Sequence, residues 1–242
     1  MSFIKTNLTE TVKKQYLFKL KANIDSFSTL VFIQLLAIAL SFFGGVGSSG
    51  MSSEDIQIHV NYYSADLVIP FTLIWAFTTA ITITTKPYRN HDFTFISNRL
   101  SSSLSNILFL ATISILGSMT ALLAGNMLNF LAYLRLDSLV YTGTAGLKEV
   151  LIGICVTFLY VFLISAVGYF VGSLVQLNKL FTVLIPVLFF GWLFLGLQFI
   201  TNVFLFYGQE SILSIFILKV LVTTSVLFLA STTIWNRLEV RQ

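Results

Sequence analysis

Charge is placed so unevenly along this chain that it dictates the solvent. Residues 26–53, 67–85, 100–134, 150–178 and 180–209 contain no Asp, Glu, Lys or Arg at all. A charge at the centre of a bilayer costs about 3 kcal/mol on insertion scales. Uncharged runs of this length therefore mark spans, and the charged blocks between them mark loops. Only 10% of the residues are charged and 56% are hydrophobic, where soluble domains carry about 25% charge. A water-facing surface cannot be built on that supply, which excludes soluble globular enzymes and disordered chains.

A spanning helix takes about 20 residues, and 242 residues leave room for six spans with no sizeable domain outside the membrane. The spans are expected at about 27–45, 65–84, 104–124, 151–172, 180–200 and 213–235. No alternating barrel pattern is present, so they are helices and the fold class is an all-α membrane protein. With the N-terminus inside, eleven Lys and Arg residues fall on inner segments and two, Arg135 and Lys148, on outer ones, while Lys219 lies within the sixth span. The positive-inside rule then places both termini in the cytoplasm of a multi-pass protein of the bacterial cell membrane. The net charge of +4 is read as orientation and not as a nucleic-acid footprint. The long basic region 1–26, followed by an apolar run of full spanning length, argues against a signal peptide.

Residues 8–24 read as an amphipathic N-terminal helix capped by Thr9. Val12, Tyr16, Leu20 and Ile24 recur at four-residue spacing and are expected to share a face. It is expected either to lie in the inner headgroup layer or to serve as a polar tail that helps set topology. The organisation is thus 1–26 helix, 27–235 transmembrane domain and 236–242 cytoplasmic tail. The inner segment 86–99 mixes Arg89, His91, Asp92 and Arg99 with Tyr88, Phe93 and Phe95. Charge with aromatics suits a small docking element; a plain connection with aromatics at headgroup level is the alternative. The outer segment after the first span is rich in Gly and Ser and is expected to be a flexible loop. Residues 125–148 are expected outside with a short surface helix, and the segment 201–211 can dip back into the membrane.

Catalytic patterns are lacking. There is no G-x-x-x-x-G-K-[ST], so the chain holds no P-loop, and no H-E-x-x-H. His59 and His91 fall on opposite sides of the expected topology, and the single cysteine, Cys155, excludes an intrachain disulfide. No enzyme activity, metal or cofactor is expected in this chain. Lys219 is the one ionisable group well inside a span; it either snorkels to the outer surface or lines a polar pathway, with Asp66 and Glu149 as candidate partners. Gly168 and Gly172 form a G-x-x-x-G that lets another helix approach, within the chain or from a second subunit. Pro70 and Pro186 can kink their helices.

This layout, together with the stretch FISNRLSSSLSNILFL at 95–110, resembles the membrane subunit of ABC-2 type exporters, most of all the small Gram-positive peptide and phenol-soluble-modulin exporters. The resemblance implies a permease driven by a separate ATPase that binds the ATP. Its coupling helix would carry Tyr88, Arg89, His91, Asp92, Phe93, Phe95 and Arg99. The N-terminal helix would be the connecting helix, and a second permease copy or paralogue would complete a dimer. Drug and polysaccharide exporters of this kind carry proline around span five and its outer loop, whereas 187–242 contains none, which favours amphipathic peptides or other amphiphiles. A substrate-capture subunit or stand-alone small-solute transporter is the second reading, and a non-transport immunity or assembly protein the third.

Overall fold

A computed structural model describes residues 8–44, 47–53, 56–62, 66–88, 99–135, 146–194, 198–210 and 212–238. The described residues are helical apart from one two-stranded hairpin. In chain order the elements are α1 (Leu8–Ala22), α2 (Ile24–Gly44), β1 (Gly47–Ser53), β2 (Ile56–Tyr62), α3 (Val68–Thr82), α4 (Arg99–Arg135), α5 (Leu147–Leu177), α6 (Phe181–Phe194), α7 (Gln198–Gly208) and α8 (Leu213–Leu238). Among the described residues, four helical stretches are long and apolar enough to cross a membrane: Ile24–Phe43, Leu100–Leu131, Leu147–Leu177 and Leu213–Trp235. Val68–Thr82 and Phe181–Gly191 are shorter apolar helices. The chain is therefore an apolar, helix-rich protein of the membrane type.

Several elements depart from the expected boundaries, each for a physical reason. The Gly- and Ser-rich segment after α2 is an antiparallel hairpin pairing Gly47 with Tyr62 and Ser53 with Ile56. The alternation in IQIHVNY supplies the strand signal. α4 does not stop near residue 124 but runs unbroken to Arg135, because Leu and Ala continue the helix and no proline interrupts it. Its 37 residues span about 55 Å at 1.5 Å per residue, well beyond a hydrocarbon core of about 30 Å. The apolar run expected as one span at 180–200 is divided between α6 and α7. Pro186 lies inside α6 and deletes a backbone donor, and Gly191 and Gly196 further weaken helix formation. Pro70 sits in the first turn of α3, where a missing N–H costs nothing.

Local capping follows the sequence. Thr84 and Thr85 hydroxyls donate to the carbonyls of Ile81 (2.6 Å) and Thr82 (2.7 Å), closing the end of α3. Asn178 joins α5 to α6: its Oδ1 accepts from Leu180 N at 3.1 Å and its carbonyl from Phe181 N at 3.0 Å, an Asx turn.

The contacts divide the chain into two compact units. One comprises 1–22, 77–112 and 162–242, the other 23–76 and 113–161. In the second, Ala37 and Ile38 of α2, Val68 of α3, and Ala121, Ala124 and Leu128 of α4 form a buried cluster, with Phe71 and Leu131 packed on it. Its polar groups are spent on ties between helices. The Trp75 indole N–H donates to Ser26 O and to Thr29 Oγ1, both at 3.1 Å. Gln34 Nε2 donates to Thr72 Oγ1 at 3.1 Å and to Gly117 O at 3.3 Å. Small side chains at close helix contacts, with hydroxyl and amide ties between them, are how helices associate when the surroundings are as apolar as leucine. In both units small polar residues such as Ser114, Ser118, Ser165 and Ser173 are buried while Phe32, Phe43, Leu123 and Leu229 are exposed, the pattern of a lipid-facing surface.

Candidate functional site

The first unit concentrates the polar chemistry at α1. The inward face of this helix is Val12, Gln15 and Lys19, with Tyr16 and Leu20 half-buried, and Ile24, expected on the same face, lies exposed at the start of α2. The expected apolar stripe is thus replaced by a largely polar one. The reason is α4, whose first turns carry Ser101, Ser102, Ser103, Ser105 and Asn106. The Lys19 ammonium, in a residue 8% exposed, donates to Ser105 Oγ (2.8 Å), Asn106 Oδ1 (2.5 Å) and Ser102 O (3.3 Å). One turn earlier, the Tyr16 hydroxyl and Thr112 Oγ1 share a hydrogen bond of 2.8 Å.

The network continues inward. Asn106 Nδ2 donates to the Tyr169 hydroxyl at 3.2 Å, and Tyr169 is buried against Phe228 with ring centroids 5.9 Å apart. Tyr169 O accepts from Ser173 Oγ at 2.8 Å, and Ser173 Oγ accepts from the Trp235 indole N–H at 2.9 Å. Lys19 of α1, Asn106 of α4 and Tyr169 and Ser173 of α5, all buried, are thereby joined to the half-buried Trp235 of α8 in one polar chain. Gln15, 1% exposed, stands beside it with neither amide atom hydrogen-bonded. Lys19 and Asn106 were not singled out from sequence. The signal for them was the serine-rich start of α4 opposite a lysine at helical spacing from Val12 and Gln15.

On the outward face of α1, Lys14 pairs with Glu10 at 2.7 Å. The Lys14 ammonium holds the Glu10 carboxyl below the ordinary carboxylate range, first by its hydrogen bond and then by its charge.

Gly168 and Gly172 face the end of α3 within the same unit. A Cβ on Gly168 would stand 2.6 Å from Phe77 O and 3.0 Å from Ala80 Cβ; one on Gly172 would meet the Thr84 side chain, with Cγ2 at 3.0 Å. The G-x-x-x-G therefore brings α5 against α3 inside this chain.

Lys219 forms an ion pair with Glu210, donates to Phe206 O at 3.3 Å and lies 4.0 Å from the centre of the Phe206 ring. Its charge ties α8 to the end of α7. Asp66 is an exposed turn residue before α3. Glu149 lies in the first turn of α5 and its Oε2 accepts from Gly146 N at 3.2 Å, the reciprocal half of a capping box. Asp66, Glu149 and Lys219 are thus held in three different local settings.

Of the segment 86–99, the structure describes Lys86, Pro87 and Tyr88, which form a helical turn with Tyr88 half-buried, and the backbone of Arg99, which opens α4. Arg89, His91, Asp92, Phe93 and Phe95 lie outside the described residues, as does the Arg99 side chain.

Comparison with known protein families, with curated proteins and with solved structures gives no match.

Proposed function

We propose that this chain is the permease subunit of an ATP-driven, ABC-type exporter of amphipathic peptides or other amphiphiles. In this reading it crosses the cell membrane six times, with α3 as the second span, α6 and α7 together as the fifth, and both termini in the cytoplasm. Energy comes from a separate ATPase subunit docked on the 86–99 segment, and a second permease copy or paralogue completes the pathway.

The observation that supports coupling is the fastening of α1 to the first turns of α4 through Lys19 and Tyr16. Arg99 ends the polar segment, and Ser102, Ser105 and Asn106 begin three to seven residues later. A push on 86–99 would therefore reach α4 and α1 as one body. α4, a continuous 37-residue helix, would carry it along its length, and the Asn106–Tyr169 hydrogen bond would pass it to α5. The absence of a P-loop from the sequence means that nucleotide must be bound elsewhere if it is used in that way.

The test is capture of a nucleotide-binding subunit by the purified permease. Tyr88→Ala with Arg89→Ala should abolish capture while insertion and melting stay normal. Normal capture by that double variant would overturn the coupling role of this segment. Solute movement by the reconstituted chain alone would overturn the permease reading.

A further inference from the structure

α1 cannot roll about its own axis. Tyr16 and Lys19 pin one side to α4, so the opposite side is fixed outward. At 3.6 residues per turn, Glu10, Lys13, Lys14, Leu17 and Lys21 fall within an arc of roughly 100° centred opposite Lys19. All five are exposed, Leu17 at 47%. Glu10 is engaged by Lys14, which leaves Lys13 and Lys21 flanking Leu17. Only one apolar side chain sits among three ammonium groups, so attraction to this face is led by charge and not by apolar burial.

The position of the face identifies what meets it. Asn23 alone separates α1 from α2, whose spanning stretch begins at Ile24. The α4 residues that α1 touches, Ser102 to Thr112, lie in the N-terminal half of that helix. α1 is thus chained directly to the start of a spanning stretch, which in the membrane-embedded reading holds Lys21 beside the headgroup layer. A cationic face with a single leucine at that depth suits phosphate-bearing headgroups, with the leucine seated between them.

We propose that the Lys13–Leu17–Lys21 face of α1 is a docking surface for anionic phospholipid headgroups. This rests on the membrane-embedded reading of the chain and not on its coupling to an ATPase.

The experiment uses the full chain in nanodiscs of phosphatidylcholine titrated with phosphatidylglycerol. Bound lipid is counted by native mass spectrometry. Wild type should retain phosphatidylglycerol preferentially, and the preference should weaken in high salt. Each lysine near an anionic surface is worth about fivefold, so Lys13→Gln with Lys21→Gln should reduce the ratio of retained phosphatidylglycerol to phosphatidylcholine by roughly 25-fold. Glu10→Gln should raise it about fivefold, an opposite effect that loss of folding cannot produce. Lys148→Gln, at an exposed lysine on α5, should change nothing. An unchanged ratio in the Lys13/Lys21 variant, or no preference in wild type, would overturn the proposal. So would equal thermal stabilisation by inorganic phosphate and by phosphatidylglycerol, which would assign the face to a free anion. Failure of wild type to capture an ATPase would leave this result standing and remove only the coupling reading.

Discussion

Two neighbours on α1 should respond oppositely to the same replacement. Gln15 and Lys19 are both buried, one turn apart, yet Lys19 donates to three oxygens and Gln15 to none. A buried amide without partners costs about 1–3 kcal/mol, so Gln15→Met should raise stability by about 1–2 kcal/mol. Lys19→Met removes the shared donor of Ser105 and Asn106 and should lower it by about 1–3 kcal/mol. Thermal unfolding of both variants in one detergent checks the signs. Adding Asn106→Leu to Lys19→Met should cost less than the two losses together, because they share one interaction. Glu10 gives the pH dependence at this scale. Its carboxyl is held low by Lys14, so the charged pair supports the first turn of α1 above the ordinary carboxylate value and is lost as pH falls through the lowered one. An NMR titration of Glu10 should show a depressed midpoint that returns to the ordinary value in Lys14→Met. The inward turn of Lys19 escaped the sequence reading because apolar periodicity was the guide to the buried face. Hydroxyls on α4 can bury a lysine as well as apolar side chains bury a valine, and no pattern within α1 alone reports what it will meet.

Between elements, the closest contact of α5 with α3 depends on having no side chain at two positions. The Cβ of Gly168→Ala would meet the carbonyl oxygen of Phe77, which belongs to the backbone and cannot rotate away. At Gly172 the obstacle is the Thr84 side chain, which can turn by giving up its bond to Ile81 O. Gly168→Ala should therefore cost about 2–3 kcal/mol, at the upper part of the range for overpacking, and Gly172→Ala about 1 kcal/mol. Chemical unfolding of the two single variants checks that order, and equal losses would refute it. The glycine spacing was legible in sequence because close helix approach has few other solutions. The partner helix was not, since G-x-x-x-G names a face and not its neighbour. The division of 180–200 into α6 and α7 was half legible. Pro186 marked a weak point, but apolarity alone cannot say whether a run of this length bends or stops. Lys219 likewise stands out in its span, while nothing in the sequence marks Glu210 as its partner. Asp66 and Glu149 stand out in the sequence because they fall at the ends of apolar runs.

For the molecule as a whole, the reading of spans from charge rests on the largest energy available to a sequence argument. Burying a lysine in hydrocarbon without partners outweighs the helix propensity of every residue but proline, which is why the apolar blocks coincide with α2, α4, α5 and α8 within a few residues except where α4 runs on. The hairpin β1–β2 carried no comparable signal. Two short strands gain their backbone pairing for little apolar burial, and glycine and serine read equally well as loop. The proposed orientation rests on the same charge logic on a larger scale. Eleven Lys and Arg residues fall on one side and two on the other when the N-terminus is inside, and translocating the basic side is disfavoured. The proposed orientation puts the hairpin outside and both tails inside. Cys155 is the only cysteine, so a Cys155→Ala background is blank for labelling. In intact cells a membrane-impermeant maleimide should modify Ser52→Cys in the hairpin and leave Gln242→Cys untouched until the cells are opened. The converse pattern would invert the chain. It would also move the 86–99 segment to the face without nucleotide, and the lysine face of α1 to the leaflet where anionic headgroups are scarcer. One labelling result therefore constrains orientation, coupling and lipid contact together.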